Sequence, residues 1–225
     1  MKRYMMIAVI LVVTITLFAL GAGVQEQQNK PIIPKEKIVL FNGKDLIGWK
    51  LFVPYQNHDV TKTWSVVDGM IRCEGKPNGY MRTEKDYANY LLHVEWRWPE
   101  KGGNSGVLIH NSGEDVVWPK SLECQLASGN AGDFWAIDGV EFKEHAEAGQ
   151  RVSGRRTVKL KSSSEKPVGQ WNAYDIVCKD NWVVVLVNGV LQNVATNCSE
   201  KSGRICLQSE GTPIEFRNIY IEPLE

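Results

Sequence analysis

The sequence has no surplus charge of either sign: 26 basic side chains stand against 26 acidic ones in 225 residues. A nucleic-acid-binding domain needs clustered Lys and Arg to displace counterions, and here the basic residues are scattered among acids, so nucleic acid is excluded as a partner. There is no Gly-x-y period and no heptad run, which removes fibrous folds, and a 43% hydrophobic content is too high for a disordered chain. Cysteine is sparse, at five residues. None of these forms a Cys-x-x-Cys pair, so zinc-ribbon and thioredoxin chemistry have no support. Helical periodicity is nearly missing as well: only 83–90 and 139–147 have room for a helical turn or two. No internal repeat is present.

What is there begins with a leader. Met1-Lys2-Arg3 precedes an uncharged run from Tyr4 to about Val24 that closes on Ala19, Gly21, Ala22 and Gly23. This is the pattern of an export signal over residues 1–22, with an uncleaved membrane anchor as the alternative. No Cys lies near the cleavage region, which argues against a lipoprotein. The expected compartment is therefore extracytoplasmic, periplasmic or secreted, with any membrane contact made through this segment alone. Residues 23–37, polar and carrying Pro31 and Pro34, read as a linker into one domain over 38–225. In an oxidising compartment five cysteines allow at most two bridges, and Cys198 with Cys206 is the first pair to consider. Cys124, flanked by Leu122 and Leu126 at strand spacing, reads as a small buried hydrophobe rather than a nucleophile.

Apolar runs in the domain are short and separated by turn residues. Asp68-Gly69 and Asn188-Gly189 each sit between two β-rich runs and predict two-residue hairpins, because a type I′ turn needs positive φ at both central positions. Further strands are expected at 37–41, 90–98, 105–110, 121–126, 156–161, 173–179, 203–208 and 214–222. The fold class is all-β, an antiparallel two-sheet sandwich.

Strand alternation then sorts the polar side chains. Within 92–98 it puts Leu92, Val94, Trp96 and Trp98 on one face and His93, Glu95 and Arg97 on the other. Within 121–126 it buries Leu122, Cys124 and Leu126 and presents Ser121, Glu123 and Gln125. Within 105–110, Val107 and Ile109 oppose Gly106, Leu108 and His110. If these strands are neighbours, Glu95, Arg97, His110, Glu123 and Gln125 meet on one hollow suited to a polyol. The alternative for Glu95 and Arg97 is an ion-pair ladder on a solvated face. Trp64, Trp96 and Trp182 are expected in the core. Trp118 and Trp135, in loop contexts, are candidate platforms for the apolar face of a sugar ring. Gly102-Gly103-Asn104-Ser105-Gly106 precedes a strand and lacks a P-loop lysine, so it is no nucleotide site.

An ordered set of segments carries a family resemblance: Leu40-Phe41-Asn42-Gly43-Lys44-Asp45-Leu46-Ile47-Gly48-Trp49, Trp64-Ser65-Val66-Val67-Asp68-Gly69, Glu95-Trp96-Arg97, Gly103-Asn104-Ser105-Gly106-Val107, Glu123-Cys124-Gln125-Leu126, Trp171-Asn172, Val187-Asn188-Gly189 and Leu207-Gln208 followed by Phe216-Arg217-Asn218-Ile219. Together they resemble the bacterial 3-keto-disaccharide (3-keto-glycoside) hydrolase family over residues 38–224. The resemblance implies a concanavalin A-like jelly roll outside the cytoplasm, acting on an oxidised sugar. A ketone at C3 acidifies the C2 hydrogen, so its removal leads to expulsion of the C1 substituent and then to hydration. Carried over, Glu95, Glu123 and His110 are the candidate bases or acids, Arg97 the electrostatic stabiliser, and Asn104, Gln125 and Gln208 the hydroxyl partners. A divalent ion is an alternative stabiliser, but no ligand motif appears. The Glu-x-Asp-x-x-Glu strand of laminarinase-type jelly rolls is absent, since Glu123-Cys124-Gln125-Leu126-Ala127-Ser128 lacks the second and third acids. Gln208-Ser209-Glu210-Gly211 also departs from the family pattern, in which many relatives have His before the Gly, so the resemblance does not carry a catalytic role over to that loop. The competing function is a non-catalytic carbohydrate-binding sandwich using Trp118 and Trp135.

Overall fold

The computed structural model describes residues 30–147 and 149–225. The leader and the first part of the linker lie outside the described residues. Two antiparallel eight-stranded sheets face each other. The first contains β1 (Ile38–Val39), β3 (Trp64–Val67), β4 (Met70–Cys73), β6 (Tyr90–Arg97), β12 (Asn172–Lys179), β13 (Trp182–Val187), β14 (Val190–Ala195) and β16 (Ile214–Pro223). The second contains β2 (Trp49–Phe52), β5 (Gly79–Thr83), β7 (Gly106–Asn111), β8 (Ser121–Gln125), β9 (Phe134–Ile137), β10 (Val152–Ser153), β11 (Arg156–Thr157) and β15 (Arg204–Ser209). In the second sheet the order is β10-β11-β9-β8-β7-β15-β5-β2. The only helices among the described residues are α1 (Lys143–Ala146) and a 3-10 turn at Val60–Lys62. Residues 83–90 hold a β-bridge at Tyr87 instead of the helical turn the sequence allowed.

The core lies between the sheets. Leu92, Val94 and Trp96 of β6 with Tyr174, Ile176 and Cys178 of β12 meet Val107, Ile109, Leu122, Cys124 and Leu207 from the second sheet, all at most 1% exposed. Each large apolar side chain so buried contributes about 1.5–3 kcal/mol relative to exposure. Both expected hairpins form, with φ of +50° and +77° at Asp68-Gly69 and +50° and +76° at Asn188-Gly189. Trp182, expected inside, is 55% exposed on the outer side of β13. Residues 30–37 are docked: the Ile32 N–H donates to the Asp86 carbonyl (2.8 Å) and Ile32 packs on the core. All five cysteines are free thiols. Cys198 and Cys206 do not pair, because Cys198 belongs to the core between the sheets while Cys206 sits on the far side of the second sheet with Tyr80 and Leu108. No helix among the described residues is long and apolar enough to cross a membrane.

Candidate functional site

Each sheet turns one face away from the core, and the expected residues divide between the two. Glu95 and Arg97 of β6 lie on the outer face of the first sheet, as alternation requires, while Glu123 and Gln125 of β8 lie on the outer face of the second. β6 and β8 are not neighbours, so the single hollow expected from Glu95, Arg97, His110, Glu123 and Gln125 does not form.

The Glu95 face is an ion-pair ladder. Arg217, directly opposite Glu95, donates from Nε to Glu95 Oε2 (2.6 Å), and Asn218 donates to Oε1 (2.8 Å). Arg97 pairs with the opposing Glu215 (2.5 Å). His93 Nδ1 lies 2.7 Å from Asp175, its cross-strand partner, and its ring stacks on Tyr220. Trp171 lies under the Arg217 guanidinium at 3.9 Å. Partial burial pushes the Glu95 pKa up, but the bonds from Asn218 and Arg217 outweigh it and hold the carboxyl below its ordinary value. Every charge here has a partner.

His110 takes neither face. Its φ of +54° breaks the alternation that would have set it beside Leu108. The ring turns inward to meet Tyr90 edge-on at 6.3 Å, with Nδ1 3.1 Å from the Glu200 carbonyl oxygen. Burial lowers its pKa to about 4, so it is a neutral interior imidazole.

Register builds the second face. Leu108 pairs with Glu123 on one side and Cys206 on the other, Glu123 with Trp135, and Cys206 with Arg82, which gives the row Trp135, Glu123, Leu108, Cys206, Arg82 across five strands. The next row along the strands contains Gln125, Gly106, Gln208 and Tyr80. The third is begun by Asn104, bridged to Glu210 beyond the end of β15. Residues two apart on a strand share a face, so Glu210 stands beside Gln208 and Asn104 beside Gly106. The Glu123 side chain folds across Gly106: a Cβ there would meet Glu123 Oε1 at 2.4 Å. Only glycine leaves this space to the Glu123 side chain where it lies, with its carboxyl over the glutamine row.

The groups around it are buried and incompletely bonded. Glu123 is 5% and Gln208 2% exposed. Glu123 Oε1, both amide atoms of Gln208 and Trp135 Nε1 have no hydrogen-bond partner, a costly arrangement that a bound polar molecule or water relieves. Gln125 donates to Asn104 Oδ1 and to the Ser105 carbonyl (3.1 Å), which fixes one end of the row. Burial, reinforced by the nearby Glu210 carboxylate and opposed by Arg155, pushes the Glu123 pKa up to about 8. Burial raises Glu210 too. Arg155, in the β10–β11 turn, lies 5.9 Å from the Trp135 ring. At the other end, Asp115 from the β7–β8 loop accepts from Arg82 Nε (2.7 Å), Lys50 (2.7 Å) and Tyr80 Oη (3.0 Å). Although burial opposes it, these three partners hold Asp115 far below the usual carboxylate range.

Of the sequence candidates, the structure thus brings together Glu123, Gln125, Asn104, Gln208 and Trp135, the last on β9 rather than in a loop. It separates Glu95, Arg97 and His110 from them. Trp118 sits in the β7–β8 loop, 39% exposed. Sequence reasoning missed Glu210, Arg155 and the Arg82–Asp115 pair. A polar recess of about 710 Å³ opens at the end of the sheet near Arg82, Asn111 and Arg204. It does not contain Glu123, and its Glu200 is bound by Lys120 at 2.6 Å. Among the described residues no group of three or more His, Cys, Asp or Glu is placed to hold a metal ion.

Comparison with known proteins identifies the family and the fold. The profile of the 3-keto-alpha-glucoside-1,2-lyase-like domain matches residues 36–222. The crystal structure of a candidate glycosyl hydrolase from Parabacteroides distasonis ATCC 8503 is 25% identical, with a TM-score of 0.63 over 84% of this chain and 94% of that one. The fold is shared at lower identity with Bacillus licheniformis β-glucanase (15%, TM-score 0.56, covering 83% and 97%). It is shared also with the Bacillus subtilis carbohydrate-binding module CBM66 (10%, TM-score 0.56, covering 78% and 95%). No curated protein matches the chain.

Proposed function

Because this chain belongs to the 3-keto-alpha-glucoside-1,2-lyase-like domain family, we propose that it is an extracytoplasmic carbohydrate-active enzyme that cleaves 3-keto-glycosides or 3-keto-disaccharides by eliminating the C1 substituent. The observation that carries this reading is the Glu123 carboxyl: shielded, folded over Gly106, unpartnered at Oε1, and protonated at neutral pH. A carboxylic acid with a pKa near 8 can give a proton to a departing glycosidic oxygen at physiological pH. Removal of the C2 proton places negative charge on the C3 oxygen. The free Gln208 Nε2 and the Arg155 guanidinium are the donors on this face that can stabilise it. Gln125 and Asn104 line the floor as partners for sugar hydroxyls, and Trp135 offers an indole wall. The neighbouring carbohydrate-binding module keeps a binding-only reading in play, but recognition alone gives no reason for a carboxyl held in its protonated form beside a second acid.

The test is incubation of the purified protein with a methyl 3-keto-glucoside and with its unoxidised parent, with and without a chelator. Cleavage restricted to the keto sugar is expected. Cleavage of both at equal rate would remove the keto-dependent route, and binding of sugar without any turnover would establish the binding module instead.

A further inference from the structure

Elimination needs an acid and a base, and only one of the two has been placed so far. The acid is Glu123. The base must share its face, lie within a sugar's width of it, and be ionised while Glu123 is protonated.

Glu210 meets the geometric conditions. It continues the outward-facing series Cys206, Gln208, Glu210 along β15 and its extension, and it is bridged to Asn104, whose side chain is bonded to Gln125. Glu123 leans across Gly106 toward this corner, so the unpartnered Gln208 amide lies along the path between the two carboxyls. The two acids are rooted two rows apart, about 13–14 Å along the strands, but the Glu123 carboxyl sits over Gly106, one row of about 6.5–7 Å from that of Glu210, which leaves room for a pyranose ring between the two carboxyls. Glu210 is only half-buried, whereas Glu123 is closed off. The Glu210 carboxylate adds to the burial that raises the proton affinity of Glu123, so the more enclosed of the two acids is the one that keeps its proton. The charged groups facing Glu123 are Glu210 and, from the β10–β11 turn, Arg155. The other charges along this row are committed elsewhere: Arg82 and Lys50 to Asp115, and Arg156, across from Trp135, to Asp133.

We propose that Glu210 is the catalytic base of this site, taking the C2 proton of the keto sugar while Glu123 protonates the leaving oxygen; this rests on the keto-sugar reading above. The step balances. The C2–H bond breaks, its proton goes to the Glu210 carboxylate and its electron pair forms an enolate with the C3 carbonyl. The enolate then re-forms the ketone as its electrons make the C1=C2 double bond. The C1–O bond breaks with its electron pair going to oxygen, which takes the Glu123 proton. Addition of water to C1 completes a net hydrolysis.

The experiment crosses two variants with two substrates and one exchange reaction. Methyl 3-keto-glucoside has a poor leaving group that needs an acid; p-nitrophenyl 3-keto-glucoside does not. Glu210→Gln is expected to lose at least 100-fold on both substrates and to stop deuterium uptake from solvent at C2, followed by proton NMR. Glu123→Gln is expected to lose at least 100-fold on the methyl glycoside, less than 10-fold on the p-nitrophenyl glycoside, and to keep C2 exchange. Thermal melts of both variants establish that they fold. A folded Glu210→Gln that exchanges C2 deuterium at the wild-type rate, or that fails only on the methyl glycoside, overturns the assignment of the base. A wild-type protein that leaves both keto sugars untouched overturns the keto-sugar reading itself, a different failure from the first.

Discussion

The outer faces of the two sheets contain much the same side chains, acids beside guanidinium groups and aromatic rings, yet they are built to opposite ends. On the first, each acid stands directly across from its cation: Glu95 from Arg217 and Glu215 from Arg97. Solvent reaches the Glu95–Arg217 pair, Glu215 is buried but held by Arg97 and Arg72, and β6 and β12 alternate buried residues with more exposed ones. On the second face, β5, β7 and β8 are buried along their whole length, and Glu123 has no cation opposite, only Trp135 and Leu108. A charge satisfied by its neighbour is at rest, while a carboxyl denied both water and a partner has its proton affinity raised and is available for chemistry. The presence of an acid and an arginine on one strand therefore says little about function; what lies across from them says more.

The sharpest way to break this contrast is to remove one carboxyl from each face. Glu123→Gln should cost about 10²–10⁴-fold in turnover of an alkyl 3-keto-glucoside, the usual range for losing a general acid. Glu95→Gln should leave turnover within about twofold by the same assay. Equal losses would erase the distinction.

The pH dependence sharpens it next. Glu123 loses its proton above about pH 8, so kcat/KM on the methyl glycoside should fall on the alkaline side near that value, and the p-nitrophenyl glycoside should lack this limb. Stability follows the same group. Folded Glu123 holds its proton to about pH 8 while the unfolded chain releases it near 4.5, so the folded state binds more protons between these values. Stability should therefore fall as pH rises from 4.5 to 8 in wild-type protein. In Glu123→Gln that slope should flatten, as read from denaturant melts across the range.

Smaller effects come from packing and from the ladder. Gly106→Ala forces a Cβ into the Glu123 carboxyl, with an expected cost of about 1–3 kcal/mol in stability and a displaced acid. Arg217→Ala breaks the Glu95 pair on a partly solvated face and should cost about 0.2–1 kcal/mol, diminishing with added salt. A larger, salt-insensitive loss at Arg217 would show that the ladder is more than surface pairing.

How much of this was legible in the sequence also divides along the two sheets. Hairpins at Asp68-Gly69 and Asn188-Gly189, and the alternation in 90–97 and 172–179, are written in local chemistry that needs no tertiary context. β2, β5 and β9 left no such mark. All belong to the second sheet, where Gly79–Thr83 has both faces covered and shows no polar alternation to detect. Glu123, Gln125 and Gln208 were found because alternation and the family resemblance pointed at them. Uniting Glu95 with Glu123 failed because period-two reasoning assigns a face of a strand without saying which sheet the strand joins. His110 failed because one left-handed φ reversed its direction. Glu210 was marked only as a departure from the family pattern and Arg155 not at all; their proximity to Glu123 comes from a strand end and a turn brought together only by the completed sandwich.

The anchoring of the β7–β8 loop carries a last consequence. Three groups from two adjacent strands, Lys50 of β2 with Tyr80 and Arg82 of β5, converge on the single carboxylate of Asp115. That clasp sets this wall of the sheet before any guest arrives, so association need not include the entropic cost of arranging a wandering loop. On the keto-sugar reading proposed above, a sugar reaching this end of the sheet meets side chains already committed to one another, which need no rearrangement.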